Sequence, residues 1–385
     1  MEGLKLASPL LFKGSSAVSG LSTCILVMAL VTGCGSGSTS MPAVPASPVS
    51  NADWVLVGNT GMTGNLEILS DNNGNLYASS NDGSGFARSI DHGVTWSPLN
   101  GGASTGCHWA LGLNDLGEVV STSLVNPNKG CNAHVMERLK GNGSTWSESP
   151  PPPGNNLTFG ISFTVAPNGY LIAAGSGLLG FSTDHGTTWT APQTVPPTQG
   201  SGACGERIKL ATQTGVVSVT LADCAPYFST DNGNNWSVYP QGFPPGVTFN
   251  DNGNLTLPDG TLLDTWQGGV RTFCYGPQVP PNGAWSKCSS GQTVPHQIIL
   301  VAARSGTKLV GHQGTCGVWS SPFPNIKWSP DNNGLTFIQG QPNNCGYPGL
   351  FGITTDPTTG YTFMLVSSNP GSGKDGDVWR TTNPQ

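Results

Sequence analysis

The sequence predicts an all-β protein assembled from seven similar four-stranded units, and three observations carry that expectation. A short motif recurs at a spacing near fifty residues, the composition is that of turns and short strands, and the last unit lacks one strand that the start of the chain supplies. The 385 residues hold 55 glycines and 31 prolines, and only 9% are charged. Such a composition suits disorder, but 11 tryptophans and regularly spaced apolar runs point to a folded domain with many turns.

The motif is clearest in three copies: Ser89-Ile90-Asp91-His92-Gly93-Val94-Thr95-Trp96, Ser182-Thr183-Asp184-His185-Gly186-Thr187-Thr188-Trp189, and Ser229-Thr230-Asp231-Asn232-Gly233-Asn234-Asn235-Trp236. A fourth stretch, Ser329 to Phe337 with Asp331 and Gly334, is one residue longer. Two worn copies lie at Asn142-Gly143-Ser144-Thr145-Trp146 and Asn282-Gly283-Ala284-Trp285. The closing aromatics fall at 96, 146, 189, 236, 285 and 337, steps of 50, 43, 47, 49 and 52. That is the spacing of β-propeller blades with four strands each.

The chemistry of the motif is that of a turn. Gly93, Gly186 and Gly233 can adopt the positive φ of a tight hairpin. Asp91, Asp184 and Asp231 can accept backbone N–H bonds across the turn, and the Ser hydroxyls can do so more weakly. Trp96, Trp189 and Trp236 are placed to pack between neighbouring units. His92 and His185 occupy the variable position and read as exposed turn residues, not ligands.

Around each motif the order strand, turn, strand, loop, strand, motif, strand repeats. In the third unit Leu157 to Ala166 reads as an inner strand, Pro167-Asn168-Gly169 as a turn and Tyr170 to Ala174 as the second strand. The last unit has three strands, Gly349 to Thr355, Tyr361 to Ser367 and Asp377 to Thr382, and stops at Asn383, where its own motif would begin. Asp53 to Gly58 can serve as its fourth strand. The expected architecture over 51–385 is therefore a seven-bladed propeller whose ring is closed by the N-terminal strand, which also removes open sheet edges.

Residues 1–33 carry Lys5 and Lys13, then the apolar run Ile25 to Val31, and end in Thr32-Gly33 before Cys34. A basic start, a short apolar core and small residues at the exit form an export signal. The run is short for a membrane span. Val31-Thr32-Gly33-Cys34 resembles the bacterial lipobox, which implies a lipid on Cys34 and a membrane partner through that anchor. The alternatives are an ordinary signal peptide and an uncleaved anchor. Residues 34–50 read as a flexible tether rich in Ser, Gly and Pro. Gly35, in place of an Asp, favours the outer membrane or cell surface, with the periplasm as the other compartment. Without residues 1–33, which hold Lys5, Lys13 and Glu2, the chain has 13 basic and 20 acidic residues, net −7. Nothing in it supplies the basic patch that nucleic acid needs.

Setting aside Cys24 and Cys34, eight cysteines remain in an exported domain, and an even count there favours disulfides over metal. No Cys-x-x-Cys is present, so neither a metal site nor a cofactor is expected. Register suggests nearest-neighbour pairs: Cys107 with Cys131, Cys204 with Cys224, Cys274 with Cys288, and Cys316 with Cys345. Each would contribute roughly 3 kcal/mol in the chain-entropy model. Three of the four would brace loops at the end opposite the motif turns, where propellers usually bind.

The motif resembles the Asp box, or bacterial neuraminidase repeat, of the sialidase-like superfamily, and the resemblance runs from Asp53 to Gln385. That group includes sialidases, xyloglucan-degrading hydrolases, sortilin-type receptors and a photosystem II assembly factor, so the repeat identifies the propeller and leaves the chemistry open. Sialidases clamp a carboxylate with three arginines, one in an Arg-Ile-Pro segment that this chain lacks. Arg88, Arg138 and Arg380 recur three residues before the box aspartate or its counterpart, where other units have Phe181 or Phe228, and Arg304 belongs to a turn. Only Arg207 and Arg271 are left for the loop end, so the resemblance does not extend to classical sialidase activity.

The remaining candidates at the loop end form a loose set. Glu206 and Asp264 are the nominated carboxylate pair for a hydrolase, which needs two such groups about 5 to 10 Å apart. Arg207, Trp266, Arg271, His108, His134 and His312 are candidate ligand contacts. Each is also an ordinary strand-end or core residue type. Two function classes follow: a binding or scaffold module for glycan or protein, favoured by the few charges, and a glycan-active hydrolase or lyase.

Overall fold

The computed structural model describes residues 53–64, 66–101, 103, 107–124, 135–141, 143–150, 162–175, 178–190, 193–194, 208–213, 216–221, 227–238, 255–256, 262–265, 272–275, 285–287, 300–305, 308–312, 317–322, 327–335, 349–367 and 376–384. Among the described residues there are strands and turns and no helix. The strands form seven four-stranded antiparallel sheets. In chain order, sheet I comprises Leu66–Ser70, Leu76–Ser80, Phe86–Ser89 and Ser97–Pro98. Sheet II comprises Cys107–Leu113, Val119–Leu124, Met136–Leu139 and Trp146–Ser149. Sheets III, IV, V and VI begin at Ser162–Val165, Ile208–Gln213, Leu255–Thr256 and Leu300–Ser305 and repeat the same order. Sheet VII takes Gly349–Thr355, Thr362–Ser367 and Asp377–Thr381 from the C-terminal part, and Trp54–Asn59 as its outer strand. Trp54 pairs with Thr381 and Asn59 with Asp377.

The first strands of successive sheets lie against one another from sheet I to sheet VII, and that of sheet VII lies against that of sheet I. Neighbouring sheets thus cover one another's faces, so the second strands are rich in small and apolar residues instead of alternating strictly with polar ones. Leu76–Ser80 is buried throughout. Its Leu76 and Ala78 pack with Phe363, Leu365 and Val378 of sheet VII. Tyr77 points the other way and packs with Val119, Leu139 and Trp146 of sheet II.

The box turns share one hydrogen-bond scheme. Ser89 Oγ donates to Asp91 Oδ1 at 2.8 Å and accepts from Gly93 N at 2.8 Å; Asp91 also accepts from Thr95 N at 2.9 Å and Thr95 Oγ1 at 2.5 Å. Ser182, Asp184, Gly186 and Thr188 repeat it, as do Ser229, Asp231, Gly233 and Asn235. Burial pushes the three aspartates up, but these donors outweigh it and hold the carboxyls below their ordinary value. The box tryptophans fill seams toward the preceding sheet: Trp96 packs with sheet VII residues, and Trp146 donates through Nε1 to Leu99 O of sheet I at 2.7 Å.

The fourth box-like stretch does something else. The outer strand of sheet VI is Ser329–Pro330, paired with Ser320 and Trp319. Asp331 and Gly334 therefore follow the outer strand instead of joining the third strand to the fourth, and Phe337 lies outside the described residues. The box position of sheet VI runs from Ser321 to Trp328: Lys327 N donates to Ser321 Oγ at 2.7 Å, and Trp328 is fully buried. Asn332 Oδ1 accepts from Val318 N at 2.8 Å, as Asn100 Oδ1 accepts from Phe86 N at 2.7 Å in sheet I. Ser329-Pro330-Asp331-Asn332 is thus the counterpart of the outer-strand stretch Ser97-Pro98-Leu99-Asn100. Asp331 is buried and meets Lys308 Nζ at 2.9 Å.

Candidate functional site

One group of buried polar side chains lies in the seam between sheets I and II. Side chains alternate along a strand, so Ser79 shares the face of Tyr77, Ser121 that of Val119, and Glu137 that of Leu139, all turned into this seam. Glu67 shares the face of Leu69, which packs against the same cluster. A bulge between His108 and Ala110 in the first strand of sheet II re-aims the backbone. Leu111 N then donates across the seam to Glu67 Oε2 at 3.0 Å.

His108 stands at the centre. It is 1% exposed, its ring lies 3.8 Å from that of Phe86, and Phe86 stacks on Trp146 at 4.0 Å. Its Nδ1 is 2.8 Å from Glu137 Oε2, close enough for an ion pair, yet the angle does not make a hydrogen bond. Neither ring nitrogen has a hydrogen-bond partner among the described residues, and the same holds for the hydroxyls of Ser79 and Ser121. Leaving buried polar groups unsatisfied costs about 1–3 kcal/mol each. These groups are buried among the aromatics of the seam.

Other charged groups are committed to contacts within and between sheets. Arg88 donates through Nη1 to Gly143 O of sheet II at 2.9 Å. Arg138 of sheet II donates to Glu118 Oε2 at 2.6 Å and to Thr187 Oγ1 of the sheet III box at 2.7 Å. Burial pushes Glu118 up, but Arg138, Asn114 and Gly141 N outweigh it and hold the carboxyl below its ordinary value. Arg380 is buried with its guanidinium 4.3 Å above the Tyr361 ring. Among the described residues no group of three His, Cys, Asp or Glu side chains is placed to hold a metal ion.

The sequence candidates divide between described strands and positions outside the described residues. His108 is buried in the seam rather than set at the loop surface. Asp264 lies on Leu262–Thr265, and His312 ends Lys308–His312. Cys107 opens the first strand of sheet II, and Cys274 lies on Thr272–Tyr275. Glu206, Arg207, Trp266, Arg271 and His134 lie outside the described residues, as do Cys34, Cys131, Cys204, Cys224, Cys288, Cys316 and Cys345. His92, expected to be an exposed turn residue, is buried, with Nδ1 2.9 Å from Asp356 Oδ2. Sequence reasoning passed over Glu67 and Glu137; the available signal was a lone carboxylate inside each of two apolar strands, Leu66-Glu67-Ile68-Leu69 and Met136-Glu137-Arg138-Leu139.

No family model matches the chain, and no curated protein matches it. Among solved structures, YCF48 from Cyanidioschyzon merolae is similar at 15% identity and TM-score 0.61, over 86% of this chain and 98% of that one. A second structure, YCF48 bound to D1 peptide, is similar at 13% identity and TM-score 0.55, over 88% and 99%. The GH74 xyloglucanase from Xanthomonas campestris is similar at 16% identity and TM-score 0.59, over 87% of this chain and 54% of that one. The extracellular domain of BT4673 from B. thetaiotaomicron is similar at 13% identity and TM-score 0.57, over 86% and 42%. The chain thus spans about half the length of the last two. At such identities the likeness is one of fold: this is an all-β chain of propeller-like architecture, with both binding proteins and glycoside hydrolases among its structural neighbours.

Proposed function

We propose that the chain is an exported, lipid-anchored β-propeller of seven Asp-box blades that binds glycan or protein at its loop end and is not a classical sialidase. The ring reading rests on the unbroken succession of first-strand contacts and on the pairing of Trp54–Asn59 with Asp377–Thr381. The anchor reading rests on Val31-Thr32-Gly33-Cys34 and the tether after it. Outer membrane or cell surface is the proposed location. The four nearest-neighbour disulfides, led by Cys107–Cys131, remain part of the proposal.

The observation that carries binding over hydrolysis is where the described charges are spent. Arg88 and Arg138 reach across to the next sheet, which removes them from any carboxylate clamp. Glu67, Glu118 and Glu137 are engaged by Leu111 N, Arg138 and His108. A neighbour seen with a peptide makes a protein segment as suitable an occupant as a glycan. The test is to incubate the purified protein with a panel of polysaccharides and extended peptides, reading both retention and released sugar. Retention without release is the expected result. Release of sugar, with loss of release on Glu206→Gln or Asp264→Asn, would replace this reading with that of a glycan-active enzyme.

A further inference from the structure

Three non-glycine residues among those described have positive φ: His92 at 56°, His185 at 63° and Asn232 at 63°. All three follow a box aspartate. Holding a side-chain-bearing residue in the left-handed region costs on the order of 1 kcal/mol or more. In each box that conformation delivers the side chain to the first hairpin turn of the preceding sheet. His92 of sheet I meets Asp356 of sheet VII at 2.9 Å. His185 of sheet III meets both carboxylate oxygens of Asp115 in sheet II, at 2.7 and 2.8 Å. Asn232 of sheet IV accepts from Asn168 N of sheet III at 3.1 Å.

We propose that the residue after the box aspartate is a clasp to the preceding sheet, and that the two histidine clasps are released by acid while the asparagine clasp is not. The charged surroundings make the distinction. Facing His92 are Asp356 and, beside it in its own box, Asp91; Asp356 in turn accepts from Thr358 and Thr359 and lies against Gly74 of sheet I. Facing His185 are Asp115 and its own neighbour Asp184, while its carbonyl is held by Asn114, which is bonded to Glu118, the partner of Arg138. Asn232 and Asn168 carry no titratable group.

The sign follows from the carboxylate. Burial pushes Asp356 up, but Thr358, Thr359 and His92 outweigh it, so its carboxyl is held below the ordinary value. A depressed carboxyl stabilises the fold above its unfolded pKa, near 3.9, and that contribution is lost as the pH falls through the lower folded value.

Hydrogen exchange of the mature protein between pH 7 and pH 3, corrected for the intrinsic pH effect, tests this directly. The turns at 355–361 and 113–118 should lose several-fold more protection than the turn at 166–170. H92N should weaken the acid effect at 355–361 and leave that at 113–118 unchanged, and H185N should do the reverse. D356N, read at the same turn, serves if H92N does not fold. Equal loss at all three turns, or an unchanged acid profile in these variants, would overturn the proposal.

Discussion

The seam between sheets VII and I and the seam between sheets I and II lie on the two faces of one sheet, yet they divide polar from apolar differently. In the first, Met62, Ile68, Leu76, Phe363, Leu365 and Val378 make an apolar interior, and the charged contact, His92 with Asp356, sits at the box turn. In the second the box is worn, and Arg88 reaches Gly143 O. The polar groups have moved inside, as His108, Glu137 and Glu67. The same repeat therefore tolerates a buried histidine–carboxylate contact beside two large stacked aromatics, Phe86 and Trp146.

The largest effect that would sharpen this contrast is loss of one of these aromatics. Trp146→Ala should cost about 3–5 kcal/mol in chemical unfolding, by removing a buried aromatic and the bond to Leu99 O. A cost under 1 kcal/mol would show that the seam is held elsewhere. Next comes the histidine–carboxylate contact. Glu137→Ala should cost about 3 kcal/mol, because it opens a cavity and leaves buried His108 without its polar neighbour, whereas His108→Phe with Glu137→Leu should be close to neutral. Equal costs for the single and double variants would mean that the pair is not the polar anchor of this seam. In the apolar seam Gly93 has φ +86°, and a Cβ there would stand 3.4 Å from Leu76, Phe363 and Val378. Gly93→Ala should cost about 1–3 kcal/mol, chiefly as strain, measured by thermal and urea unfolding together. The smallest effect is at the box carboxylate: Asp91→Ala should cost about 1 kcal/mol and lose its penalty in acid, since this carboxyl is held below its ordinary value only in the folded protein.

Much of this contrast was legible in the sequence, and the parts that were not have physical reasons. The boxes at 89–96, 182–189 and 229–236 could be read because their chemistry is local: the aspartate, glycine and hydroxyl bond within a few residues. The stretch at 329–337 misled because an outer-strand end happens to offer Ser, Asp and Gly in nearly the same order. Spacing held the correction: Trp285 to Trp328 is 43 residues, the same step as Trp146 to Trp189. The burial of His92 was beyond reach, since its partner is 264 residues away. The seam of Glu67, His108 and Glu137 was hidden by the bulge after His108, which breaks the strict alternation on which a facing argument depends. The loop-end candidates, with Glu206, Arg207, Trp266 and Arg271 among them, stay at the level of sequence reasoning because they lie outside the described residues.

The proposed ring depends on sheet VII taking its outer strand from Trp54–Asn59. Trp54 is fully buried among residues of sheets VI and VII, and Trp54–Asn59 is the longest outer strand of the seven. Removing it would open an edge and strip a seam together. Thermal unfolding of the mature domain with and without residues 53–59 is the direct measurement. The account predicts that the truncated protein loses its single cooperative transition or melts at least 10 °C lower, on the order of several kcal/mol for a domain of this size. An unchanged transition would contradict it.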